Sequence, residues 1–78
     1  MENETDVELQ VFIDNVRWLM ETHSLTEKQM ASIMHIYPKT LKRLLAGEYS
    51  PLLGVNAIFY LSDYFGYKPP NLFFPLWK

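Results

Sequence analysis

The sequence predicts an all-α fold, a compact bundle of four helices followed by a short C-terminal turn. Apolar residues recur at spacings of three and four in successive segments, as in helices that bury one face. Glycine, proline or capping residues stand at the ends of these segments. The chain is 49% hydrophobic and 15% aromatic, which is the composition of a packed domain and excludes a disordered chain.

A chain of 78 residues has room for one domain, and a domain of this size buries only about 60 to 65% of its unfolded surface. We expect a flexible acidic N-terminus at residues 1–6, a helical domain at 7–74 and an aromatic tail at 75–78. The absence of cysteine excludes disulfides and thiolate zinc sites. No nucleophile or pocket accompanies the few acidic residues and histidines, so we expect no enzyme activity, no cofactor and no metal site.

The first three helices are predicted from apolar spacing and from their end residues. The first runs from about Val7 to Glu21, with apolar positions at Leu9, Phe12, Ile13, Val16, Leu19 and Met20. Thr26 and Gln29 have the spacing of a capping box, which opens a second helix that ends near Met34. Pro38 suits the first position of a third helix, which extends to about Ala46 before Gly47.

The fourth helix is predicted from about Leu52 to Phe65, and Gly66 ends it. Its apolar positions are Val55, Ile58, Phe59, Leu61, Tyr64 and Phe65. Three prolines in residues 67–78 leave space for only one short turn, near Pro70 to Phe74.

Charge is unevenly distributed along the chain, whose net charge is −2. Residues 1–10 carry −4 from Glu2, Glu4, Asp6 and Glu8, whereas residues 37–51 carry +2 from Lys39, Lys42 and Arg43 against Glu48. Because the third helix buries Leu41, Leu44 and Leu45, it is predicted to turn four polar residues outward: Lys39, Thr40, Lys42 and Arg43. Two short amphipathic helices with a basic second member are the layout of a helix-turn-helix, which presents its second helix to DNA base edges.

The order of residues from Leu25 to Pro51 resembles the Cro and cI-repressor type (XRE-like, lambda-repressor-like) helix-turn-helix domain. The residues that carry the resemblance are Leu25, Thr26, Met30, Ala31, Ile36, Leu41, Leu44, Gly47 and Pro51. The resemblance covers roughly Phe12 to Phe73 and implies a sequence-specific transcriptional regulator of bacterial or phage origin. Such a protein binds double-stranded DNA as a homodimer, with its third helix in the major groove.

Carried over from the family, the DNA contacts of this chain are Lys28, Pro38, Lys39, Thr40, Lys42 and Arg43. The sequence departs from the family pattern at Glu27, where glutamine is frequent, at His35, where glycine is common, and at Leu45, where glutamate is usual. These departures favour an alternative, in which the helix-turn-helix is a scaffold that binds a protein partner such as a repressor, as an antirepressor does, or a phage-defence component.

The C-terminal segment, residues 67–78, is rich in aromatic side chains. It either completes the core by folding onto the first helix or forms a homodimer or partner interface through Tyr67, Phe73, Phe74, Leu76 and Trp77. The chain begins with an acidic run and contains no apolar stretch of about 20 residues, so no membrane association is expected. We therefore expect a cytoplasmic protein.

Overall fold

Four α-helices and a short 3₁₀ helix form the fold of this chain. The computed structural model describes residues 4–48 and 54–77, and the side chains of residues 9–48 and 56–77. The elements are α1 (Glu4–Thr22), α2 (Glu27–Met34), α3 (Pro38–Leu45), α4 (Gly54–Phe65) and the 3₁₀ helix (Pro69–Phe73). Strands are absent from the described residues. The predicted all-α bundle of four helices with a short C-terminal turn is confirmed.

The helix bounds differ from the predicted ones mainly at the N-terminus. Helix α1 begins at Glu4 and not near Val7, so it includes residues 4–6, which were predicted to precede it. Residues 1–3 of the predicted flexible N-terminus lie outside the described residues. Helices α2 and α3 begin where the capping box and Pro38 predicted. The predicted start of α4 at Leu52 lies outside the described residues, and the C-terminal turn is shifted by one residue, to Pro69–Phe73.

The same left-handed cap ends each of the four helices. A residue with positive φ follows each helix: Ser24 at 55°, His35 at 59°, Gly47 at 87° and Gly66 at 78°. The next backbone N–H donates to a carbonyl five residues back, as in a Schellman motif. These bonds join Leu25 to Met20 at 2.8 Å, Ile36 to Ala31 at 3.0 Å, Glu48 to Arg43 at 2.9 Å and Tyr67 to Ser62 at 2.9 Å.

The core lies between all five elements. Helix α2 packs against α3 and α4, and the 3₁₀ helix packs against α1 and α4. The buried apolar side chains are Phe12, Ile13, Val16, Leu19, Met30, Ala31, Met34, Leu41, Leu44, Ala57, Leu61 and Leu72. Because each element contributes to one core, the position of α3 depends on the packing of the others. No helix in the described part of the chain is both long and apolar enough to cross a membrane.

Asn15 attaches the C-terminal segment to α1. Its side chain is fully buried, and its amide nitrogen donates to the carbonyl oxygens of Leu72 at 2.6 Å and Phe74 at 2.9 Å. Its amide oxygen accepts from the backbone N–H of Leu76 at 2.9 Å. One side chain therefore supplies partners for three backbone groups of the C-terminal segment, one at a buried bond and two at partly buried bonds.

The apolar face of α4 differs from the predicted one. Phe59 and Tyr64 were predicted to supply apolar positions, but they are 51% and 63% exposed. Leu61 is buried as predicted, and Ile58 and Phe65 pack partly buried against the core. The other buried positions of α4 are the small residues Ala57 and Ser62. Small residues face the core here because α2 and the 3₁₀ helix both pack against α4, which leaves the larger rings outside.

Candidate nucleic-acid interface

A reciprocal capping box begins α2. The Thr26 hydroxyl accepts from the backbone N–H of Gln29 at 3.1 Å, and the Gln29 side-chain oxygen accepts from the backbone N–H of Thr26 at 2.9 Å. Two N–H groups that a helix end leaves without partners are thereby satisfied. The start of α2 is held in one geometry by its own local sequence.

The turn between α2 and α3 consists of His35, Ile36 and Tyr37. His35 has φ 59° and ψ 40°, the left-handed conformation, which histidine adopts only at an energetic cost. Its ring stacks on Tyr60 of α4, with centroids 3.8 Å apart and an interplanar angle of 22°. Ile36 is partly buried against the core. The turn is therefore anchored to both α2 and α4, which orients α3.

Helix α3 has one buried and one exposed face. Leu41 and Leu44 are fully buried, and Pro38, Lys39, Lys42 and Arg43 are exposed. Lys39, Lys42 and Arg43 fall on adjacent positions of one helical surface, because residues three and four apart are neighbours. We call these three side chains the basic face of α3.

Thr40 does not belong to that exposed surface. It was predicted to point outward and to contact DNA, but it is only 5% exposed. Thr40 precedes the buried Leu44 by four residues, so both lie on the same side of the helix. The prediction that Thr40 faces outward is wrong, because the two leucines orient α3 with Thr40 on their side.

Tyr37 is the most exposed of the large hydrophobic side chains in the described residues, at 77%. It immediately precedes α3 and lines, with Pro38, Lys39, Thr40 and Arg43, a surface depression of about 450 Å³. The depression combines an aromatic ring with two cationic side chains. The sequence analysis missed this residue, because it assigned Tyr37 only to the turn.

The end of α3 is attached to α1. The Arg17 guanidinium donates a hydrogen bond to the backbone carbonyl of Leu45, in the last turn of α3. A positive charge at the C-terminal end of a helix also interacts favourably with the helix dipole. Arg17 therefore helps to hold α3 in place from outside the basic face.

The first turn of α2 contains one cation and one anion. Lys28 is exposed, as a phosphate contact requires, and Glu27 is partly buried in the first turn. A carboxylate at a helix N-terminus is stabilised by the helix dipole, by about 0.3–1 kcal/mol. The stability of α2 therefore accounts for Glu27 better than phosphate binding does, because a carboxylate repels phosphate.

The five aromatic and apolar residues predicted as an interface are divided between core and surface. Tyr67, Phe73 and Leu76 are partly buried and pack against the core. Phe73 stacks on Phe12 of α1, with centroids 5.5 Å apart. Phe74 and Trp77 are 66% and 42% exposed. Only these last two present large surfaces that a partner would contact.

The sequence analysis also missed Asn15, which determines the path of the C-terminal segment. The signal that would have identified it is a polar residue among apolar ones, because the other buried residues of α1 are all apolar. Among the described residues, no group of three or more His, Asp or Glu side chains is arranged to hold a metal ion.

Comparison with known proteins finds no counterpart for this chain. No family model, no curated protein and no solved structure matches it.

Proposed function

We propose that this chain is a sequence-specific DNA-binding transcriptional regulator that places α3 in the major groove. The observation that carries the proposal is the basic face of α3, in which Lys39, Lys42 and Arg43 are exposed on a short helix. That helix is oriented by the buried Leu41 and Leu44 and by its short turn from α2. A short helix supported in this way from behind is what major-groove docking requires.

The exposed side chains divide into two chemical roles. Arg43 offers a bidentate donor for guanine, and Lys39 offers a cation for guanine or phosphate. Lys42, together with Lys28 at the start of α2, suits phosphate contacts, which position the protein without reading sequence. Tyr37 presents an apolar ring edge for a thymine methyl group.

A homodimer on a palindromic site is part of the proposal. Two copies would present the basic face twice, about 34 Å apart, which is one turn of DNA. The six cations that the two basic faces supply would by themselves make affinity fall by about 10³ between about 50 and 200 mM salt. Such a regulator would act in the cytoplasm of a bacterial or phage-infected cell.

Replacement of Lys39, Lys42 and Arg43 by alanine tests this assignment. We expect the triple variant to keep the parent's helical circular dichroism, because the three side chains are exposed, and to lose most duplex binding. Binding is measured by fluorescence anisotropy with mixed-sequence duplexes at low and moderate salt. The exposed Lys68, which follows α4, supplies the matched control Lys68→Ala.

A triple variant that bound duplex as tightly as the parent would remove α3 from the interface. Amide NMR spectra of the parent with added duplex locate the binding surface. We expect salt-sensitive chemical-shift changes at residues 26–46. Selection from a random duplex library then tests sequence specificity, since a non-specific binder would enrich no site.

The second candidate function is a protein-interaction module. Exposed Phe59, Tyr64 and Phe74, together with the carboxylate of Glu27 in the first turn of α2, are the observations that favour it. Under this hypothesis the triple variant retains partner binding and the parent shows no duplex-induced NMR shifts at low salt.

A further inference from the structure

One side of α4 is exposed to solvent in the described part of the chain. It contains Asn56, Phe59, Tyr60, Asp63 and Tyr64, and we call these five residues the outer face of α4. Phe59, Tyr60 and Tyr64 are 51%, 44% and 63% exposed. The five residues recur at spacings of three and four, the pattern by which one helix pairs with another.

We propose that the outer face of α4 pairs with the same face of a second copy of this chain, with the two α4 helices antiparallel about a two-fold axis. The two-fold axis would cross the helix pair at the level midway between Phe59 and Tyr60. This surface supplies the homodimer contact of the proposed function, on which the inference rests for its biological role. Pairing itself requires no DNA.

The register follows from the sequence positions. In an antiparallel pair with this axis, two residues lie at the same level when their residue numbers add up to the same total as 59 and 60. Phe59 is then level with Tyr60 of the partner, and Asn56 is level with Asp63 of the partner. Aromatic rings meet at the centre and an amide donor meets a carboxylate at each end, so the face is complementary to itself.

Charge decides between antiparallel and parallel pairing. Asp63 is the one charged residue among the five. A parallel pair would bring the two Asp63 carboxylates together, whereas antiparallel pairing separates them by about 10 Å along the axis, at 1.5 Å per residue. Antiparallel pairing also lets an amide N–H of Asn56 donate to each carboxylate.

Surface depressions on both sides of α4 receive the partner's rings. One has a volume of about 320 Å³ and lies between α4 and the end of α2, beside His35, Tyr60 and Tyr64. The other has a volume of about 400 Å³ and lies between α4 and the 3₁₀ helix, beside Phe59 and Tyr67. A surface that pairs with a second copy of itself must carry both the protruding groups and the recesses that receive them.

The area of the face predicts a weak dimer. The exposed fractions of Phe59, Tyr60 and Tyr64 amount to about 300 Å² of aromatic surface per copy, because an aromatic residue has about 150–250 Å² to bury. Pairing buries about twice this value, which is below the roughly 1,200 Å² of standard interfaces. We therefore expect a concentration-dependent dimer.

Sedimentation equilibrium of the full chain without DNA tests the pairing. We expect a monomer–dimer equilibrium that Asn56→Lys strengthens about three- to tenfold, because it creates two lysine–Asp63 pairs. Asn56→Asp is expected to weaken it by a similar factor. Thr22→Lys, at an exposed site on α1, is the charge control and leaves the equilibrium unchanged. A chain that stays monomeric into the millimolar range overturns the proposal.

Cysteine cross-linking tests the register, since the chain has no cysteine of its own. An equal mixture of Asn56→Cys and Asp63→Cys is expected to form disulfide-linked dimers under mild oxidation. Each variant alone is not, because its two sulfurs would be about 10 Å apart and a disulfide needs Cβ atoms about 4 Å apart. Efficient cross-linking of either variant alone overturns the register. Efficient cross-linking of Phe74→Cys overturns the α4 interface and assigns the dimer contact to the C-terminal segment.

These measurements contain no nucleic acid, so their failure is distinct from that of the proposed function. A monomer that binds duplex refutes the α4 interface and leaves α3 assigned to DNA. A dimer that pairs as described but binds no duplex supports the interface and refutes the DNA assignment.

Discussion

At the scale of single residues, Asn15 has the largest structural role among the polar side chains. Its three hydrogen bonds reach backbone groups of Leu72, Phe74 and Leu76. Each buried polar group left without a partner costs about 1–3 kcal/mol, so no apolar side chain of similar volume replaces it. This one amide therefore attaches the backbone of residues 72–76 to α1.

The substitution Asn15→Asp tests this role through its pH dependence. Two carbonyl oxygens would face the new carboxylate, which burial and repulsion disfavour, so the pKa of the introduced carboxyl is raised in the folded state. The folded state then binds the proton more tightly than the unfolded one. The variant is therefore least destabilised at low pH, and its stability falls as pH rises through the raised folded pKa.

Urea unfolding of parent and variant at about pH 4 and about pH 7 measures this effect, since an ordinary aspartate titrates near 3.9. The expected loss relative to the parent is about 3 kcal/mol or more at the higher pH, and smaller at the lower pH. An equal loss at both would show that the two carbonyls do not face the carboxyl.

At the scale of the elements, the left-handed caps show how one local motif is used with different side chains. Glycine occupies the positive-φ position after α3 and α4, whereas Ser24 and His35 occupy it after α1 and α2. A side chain in this conformation costs about 1–2 kcal/mol relative to glycine. His35 recovers part of that cost by stacking on Tyr60, whereas the side chain of Ser24 has no ring that could stack.

Glycine substitutions are therefore expected to differ between the two caps. Ser24→Gly should raise the free energy of unfolding by about 0.5–1 kcal/mol, because it relieves the strain of positive φ. His35→Gly should give no net gain, because it also removes a ring contact worth about 0.5–1.5 kcal/mol. Thermal unfolding of both variants, with Ser24→Ala as the non-glycine control, measures the difference. Equal gains at the two sites would contradict a stabilising role for the His35–Tyr60 stack.

At the scale of the whole molecule, positive charge is concentrated on α3 in a chain whose net charge is −2. The proposed interface therefore depends on local and not on total charge. Glu27 lies in the first turn of α2, and in the proposed DNA complex its carboxylate would oppose phosphate binding. Helix stability and DNA affinity make opposite demands on this position.

The substitution Glu27→Gln should separate these demands. We expect duplex affinity to rise about three- to tenfold at low salt because one repulsive charge is removed. The free energy of unfolding should fall by about 0.3–1 kcal/mol because the interaction with the helix dipole is lost. Anisotropy titrations and thermal unfolding measure the two effects. Asp14→Asn on α1 changes net charge equally, and an equal gain in affinity from that control would attribute the effect to total charge.

What the sequence by itself determined is local. The number of helices, the capping box of Thr26 and Gln29, the start of α3 at Pro38 and the ends at Gly47 and Gly66 all follow from residues within one or two helical turns of each other. The positive charge of α3 is likewise readable from composition. These features were predicted because neighbouring residues interact whatever the rest of the chain does.

Only the tertiary structure decided which face of each helix is buried and where the C-terminal segment lies. The Asn15 contacts join residues 57, 59 and 61 positions apart, and periodicity carries no information over that separation. Spacing identifies an amphipathic helix, but the elements packed against that helix decide how it is rotated about its axis. Thr40 is therefore buried and Phe59 exposed. Burial is a property of the assembled core, which must fill its volume with all its elements at once.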